Sequence, residues 1–105
     1  MKSSETKRVL VAGASGGVGQ FICRQVVRLF GPHSLVVGDY KIERGRKFAK
    51  SLGEEVNTRY VNVNNRESIN EALDGIDAVI VATQKPKERV WRIVFRALIL
   101  RFNLN

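Results

Sequence analysis

Short apolar runs and amphipathic stretches alternate along this chain. Arg8 to Ala12 is apolar and valine-rich, the pattern of a buried parallel strand. From Gly17 the apolar positions Val18, Phe21, Ile22, Val26, Leu29 and Phe30 recur at helical spacing, with Gln20, Arg24 and Arg28 on the opposite side. Gly31-Pro32 stops that helix, because glycine accepts a left-handed cap and proline cannot continue it. Ser34 to Asp39 is a second apolar run, ending at an acid. Lys41 to Leu52 then sets Ile42, Gly45, Phe48, Ala49 and Leu52 on one helical face and turns Glu43, Arg44, Lys47 and Lys50 toward water, and Gly53 closes it. Thr58 to Val63 reads as a third strand. Asn64 with Glu67 resembles a capping box for a third helix, whose face is Ile69, Ala72, Leu73 and Ile76 and whose end is Asp74-Gly75. Ala78 to Thr83 is a fourth buried strand.

Strands that alternate with helices need crossover connections, and right-handed crossovers make the sheet parallel with helices on both faces. The expected fold is therefore α/β, a Rossmann-like three-layer arrangement of strand order 3-2-1-4. The tail from Pro86 is expected to form a helix to near Arg96, then a fifth strand over 97–102. The alternative is one helix carrying Arg89, Arg92 and Arg96 on a basic face.

The 105 residues are expected to form a single domain, 1–105, with a flexible start over 1–7. A domain of that size buries roughly 65% of its unfolded surface and needs no staples. One cysteine, Cys23, makes no internal disulfide and has no metal-ligand companions, which fits a reducing compartment. No apolar run is long enough to span a bilayer and no secretory h-region opens the chain, so a cytoplasmic location is expected. The formal charge of +8 raises nucleic acid as a partner. Its excess lies in the tail, where Lys85, Lys87, Arg89, Arg92, Arg96 and Arg101 face only Glu88.

The candidate chemistry lies between the first strand and the first helix, in Gly13-Ala14-Ser15-Gly16-Gly17-Val18-Gly19. Free N–H groups of a first helical turn and the positive end of its dipole attract phosphate there. Gly13 would make the tight turn, Gly16 or Gly17 would admit a pyrophosphate, and Gly19 would bring helix and sheet together. Ser15 could add a hydroxyl donor. The spacing is one residue longer than G-x-G-x-x-G. Asp39 lies twenty positions after Gly19, where a dinucleotide site needs an acceptor for the ribose 2′-hydroxyl. The glycines also read as Gly13-x-x-x-Gly17-x-Gly19, the turn of short-chain dehydrogenases. The Tyr-x-x-x-Lys pair which that chemistry needs is missing, since Arg44 and Asn64 follow Tyr40 and Tyr60 at that distance. No G-x-x-x-x-G-K-[ST] loop occurs. His33 has no partner in any motif, Cys23 has no neighbouring base, and Trp91 reads as a packing residue or a partner's anchor.

On the glycine turn, the acid ending the second strand and the segment Val81-Ala82-Thr83-Gln84, the chain resembles the N-terminal NAD(P)-binding domain of the saccharopine dehydrogenase family, over about residues 8 to 95. The departures are the extra Ser15, and Asn62 and Asn64 where related domains often carry aspartates. The resemblance implies that Gly13, Ala14, Ser15, Gly16, Gly17 and Val18 line the cofactor pyrophosphate and that Asp39 and Tyr40 meet the adenosine ribose. It further implies that Asn62 and Val63 lie near the adenine, and Ala82 and Thr83 near the inner ribose or nicotinamide. Asp39 would repel a 2′-phosphate while Lys41, Arg44 and Arg46 would attract one, and between NAD and NADP the acid favours NAD.

The functional expectation is the cofactor-binding part of an NAD(P)-dependent oxidoreductase, without catalytic residues or a substrate domain of its own, and so inactive alone. The alternative is a non-catalytic NAD(P) sensor whose basic tail meets nucleic acid or a protein. Residues 90–102 are also expected to meet a missing substrate domain or a second copy.

Overall fold

The computed structural model of the chain describes residues 7–82. It contains four strands, β1 (Val9–Ala12), β2 (Leu35–Asp39), β3 (Asn57–Tyr60) and β4 (Ala78–Val81), and three helices, α1 (Gly17–Phe30), α2 (Ile42–Leu52) and α3 (Arg66–Ala72). A short 3-10 turn, Pro32–Ser34, leads into β2. All pairings are parallel and the strand order is β3-β2-β1-β4. This is the Rossmann-type order expected from the alternation. The proposed tail helix, the fifth strand and Thr83 lie outside the described residues.

The period-two geometry of a strand divides the core in two. Leu10, Ala12 and Val36 point to the α3 side, where they meet Val61, Ile69, Ala72, Leu73 and Ile76. Val9, Val11, Leu35 and Val37 point the other way, toward Cys23 and Val26 of α1 and Ala49 of α2. Both faces of β1 and β2 are covered, which is why those strands are apolar rather than alternating up to Asp39 at the end of β2.

The face of α1 differs from the one its large residues predict. Gly19, Cys23 and Val26 are the buried positions, while Val18, Phe21, Leu29 and Phe30 are exposed, Phe21 by 61%. The helix approaches β1 so closely that small side chains form the contact, and at about 100° per residue the large ones turn aside. In α2 the buried positions Gly45 and Ala49 lie on the expected face.

β3 pairs Asn57 with Val36 and Tyr60 with Asp39. It is displaced from the expected 58–63 because β2 ends at Asp39. After one further bond, from the Val61 N–H to the Asp39 carbonyl at 3.1 Å, the chain leaves the sheet. The cap of α3 is Asn65, not Asn64. Its side chain accepts from the Ser68 N–H at 3.1 Å, while Asn64 donates its own N–H to Asn62 Oδ1 at 2.9 Å in a preceding turn. The buried Ser68 hydroxyl accepts from the Asn62 N–H and lies 2.9 Å from the carbonyls of both Asn62 and Asn65, between which its one hydrogen is shared, tying this turn to the helix.

Candidate functional site

The carboxyl ends of all four strands open into one cavity of about 520 Å³. It lies where the topology reverses, since β1 continues into α1 on one face of the sheet and α3 covers the other. A parallel sheet offers a ligand crevice at such a switch point.

The turn from β1 to α1 forms its floor. Gly13 has φ of 80°, a left-handed conformation that a residue with a Cβ adopts only at a cost. A Cβ on Gly19 would lie 2.1 Å from the Gly13 carbonyl oxygen, so only glycine permits this approach of helix to turn. Gly16 is the N-cap and places no side chain over the helix start. The first-turn amides of Gly17 and Val18 have no intrahelical acceptor, and both residues line the cavity. The turn is held from outside by the Gly13 and Ala14 amides, which donate to the Gly38 carbonyl at 3.0 and 3.2 Å, and by Gln20 Nε2, which donates to the Ser15 carbonyl at 2.8 Å.

Asp39, at the end of β2, is 2% exposed. Its Oδ1 accepts from the Lys41 N–H at 3.0 Å and from Arg44 Nη2 at 2.8 Å. Its Oδ2 accepts from Arg44 Nε at 3.0 Å and from the Ser15 hydroxyl. Burial works to raise the Asp39 carboxyl, but the bonds from Arg44, Ser15 and Lys41 together outweigh it and hold the group below its ordinary range. The Arg44 guanidinium is correspondingly raised by its bond to Asp39 and lies over the Tyr40 ring, 5.2 Å from the centroid, with Lys41 Nζ at 5.8 Å. Arg46 is engaged elsewhere, with Glu43 at 2.6 Å.

Of the residues expected at a cofactor site, Gly13, Ser15, Gly16, Gly17, Val18, Asp39, Tyr40, Asn62, Val63 and Ala82 line this one cavity. Ala14 does not, since its side chain is fully buried in the core on the α1 side. Thr83 lies outside the described residues. Arg44, Val61 and Asn64 complete the wall; Arg44, expected on the water-facing side of α2 and as a cation near the acid, is exposed and also bonds Asp39. The available signal was Gly45. A Cβ there would come 3.0 Å from the Asp39 Cβ, so the start of α2 is drawn against the strand end and carries Arg44 with it. Among the described residues no cluster of metal-binding side chains occurs, and no helix is long and apolar enough to cross a membrane.

The arrangement offers unpaired helix-start amides for an anion beside a charged, aromatic-walled recess, which are the elements of a dinucleotide site. Solved structures share the fold. Citrobacter sp. triphenylmethane reductase complexed with NADP(H) matches with a TM-score of 0.77 at 16% identity, over 90% of this chain and 34% of that one. The Escherichia coli NADPH-dependent quinone oxidoreductase complexed with NADPH gives 0.75 at 14% identity, over 90% and 33%. Brucella melitensis 3-ketoacyl-(acyl-carrier-protein) reductase complexed with NADH gives 0.72 at 17% identity, over 98% and 52%. The chain thus spans a third to a half of the length of these relatives. A comparison with curated proteins found no match. The model of the saccharopine dehydrogenase NADP binding domain matches residues 9–94, and the chain belongs to that family.

Proposed function

We propose that this chain binds NADP(H) as the cofactor-holding part of an oxidoreductase. The pyrophosphate rests on the turn Gly13–Gly19, where the Gly17 and Val18 amides and the α1 dipole meet it. The adenosine ribose lies beside Asp39 and Tyr40, the adenine toward Asn62 and Val63, and the nicotinamide half toward Ala82. The observation that carries the reading is the convergence of uncapped first-turn amides and the Asp39–Arg44 pair on one cavity.

The cofactor supplies hydride chemistry when bound; this chain's own residues bind and orient it. NADP(H) replaces the NAD that the acid alone favours, because Arg44 and Lys41 bring cations to the same recess and the family is an NADP-binding one. Groups that hold a substrate against the nicotinamide belong to a further domain or partner. Amide NMR on the isotope-labelled chain tests the placement. NADPH should move the resonances of Ser15, Gly17, Val18 and Tyr40 and leave the far end of α2, around Lys50, in place. Shifts confined to other regions would refute it.

A further inference from the structure

Accepting that reading, we infer that Asp39 serves as a positioning residue for Arg44 rather than as the acceptor for a ribose hydroxyl, so that the recess selects the 2′-phosphate of NADP(H). A carboxylate has two oxygens and about four lone-pair directions. Here the Lys41 N–H, the Ser15 hydroxyl and two Arg44 nitrogens use them all. A ribose 2′-hydroxyl that needs an acceptor must displace one of these donors, and the displaced group loses a charge-assisted bond in a buried place.

A 2′-phosphate needs donors, and Arg44 has them to spare. A guanidinium carries five N–H bonds in a planar fork. Two hold Asp39 from Nε and Nη2, which leaves the Nη1 edge and the second Nη2 hydrogen. The Tyr40 ring and the Asp39 carboxylate together fix the plane of the fork. Arg44 remains half exposed at 48%, so its outer edge is open to a ligand while its inner edge is not. Ser15, the residue that lengthens the glycine turn, supplies the fourth donor to Asp39 and thereby closes the carboxylate to a ribose hydroxyl.

The two roles for Asp39 predict opposite signs. If the carboxylate positions Arg44, Asp39→Ala on the full chain weakens NADPH about tenfold, the scale of losing a charge-assisted bond, and changes NADH less than about twofold. Arg44→Ala gives the same pattern, and the double variant is no weaker than the singles, because both remove one unit. If the carboxylate is instead a ribose acceptor, Asp39→Ala weakens NADH more than NADPH, or tightens NADPH by removing a repulsion, and the proposal is overturned. A wild-type chain that binds neither cofactor refutes the underlying reading instead. Should Asp39→Ala fail to fold, Ser15→Ala gives the same decision with Asp39 intact. Freeing one lone pair should shift the ratio of NADH to NADPH affinity several-fold toward NADH, a ratio in which any loss at the shared pyrophosphate cancels, and an unchanged ratio or a shift toward NADPH would overturn the assignment.

Discussion

Gly19 approaches the carbonyl of Gly13 so closely that an added Cβ would lie 2.1 Å from its oxygen, whereas a Cβ on Gly17, two residues earlier, would meet nothing within 4 Å. One glycine therefore serves the packing of helix on turn and the other serves the open side of the cavity. Gly19→Ala should cost about 3 kcal/mol, the upper range for overpacking against backbone that cannot yield. Gly17→Ala should change stability by less than about 0.5 kcal/mol yet weaken NADPH, because its methyl group projects where a phosphate would rest. Chemical denaturation and cofactor titration of the two variants separate these effects, and equal destabilisation by both would contradict the geometry.

The Asp39 carboxyl is held below its ordinary value of 3.8. A depressed folded-state value means that Asp39 stabilises the fold fully above the unfolded-state pKa, and that this contribution fades as pH falls through 3.8 toward the folded value. Asp39→Asn should therefore lower stability at pH 7, and the gap from wild type should narrow below about pH 4. Urea unfolding across that range measures it, and a gap that widens in acid would show the sign to be wrong.

Cys23 is fully buried on the inner face of α1, and burial pushes its thiol up to about 12, with Arg24 opposing. At pH 8 the folded chain should react with iodoacetamide about a thousandfold more slowly than the unfolded chain. Mass spectrometry of timed samples follows the label, and rapid modification without unfolding would place the helix differently.

Asn65 rather than Asn64 caps α3. Asn65→Ala should cost about 1 kcal/mol, the usual loss for a side-chain cap. Asn64→Ala should cost less, since that residue contributes its backbone N–H to the turn. Thermal melts of the two variants rank them.

Most of the sheet was legible in the residues. The runs at Val9–Ala12 and Leu35–Asp39 are apolar up to the acid that ends the second because helices cover both faces, and with the helical stretches between them they point to the order β3-β2-β1-β4. The cavity floor was legible for a related reason, since four glycines between a strand and a helix leave few other conformations. The contact face of α1 was not. Hydrophobic periodicity weights Phe21 and Leu29, whereas close approach at Gly19 selects Gly19, Cys23 and Val26, and small residues carry little periodic signal. Arg44 was legible as a cation near the acid on the water-facing side of α2, where it is exposed, but its bond to Asp39 was not. That bond depends on the packing of Gly45 against the strand end; a glycine on the buried face of α2 hints at the close approach, but the distance itself is tertiary. Likewise Asn64 and Asn65 are chemically equivalent as caps, and the turn at Asn62 chooses between them.

Calorimetric titration of the 105-residue chain with NADPH tests the central claim most directly. The account predicts saturable one-to-one binding at millimolar or lower concentration, weakened by Gly17→Ala and by Arg44→Ala. Absence of binding in the millimolar range, or binding that neither substitution alters, would contradict it.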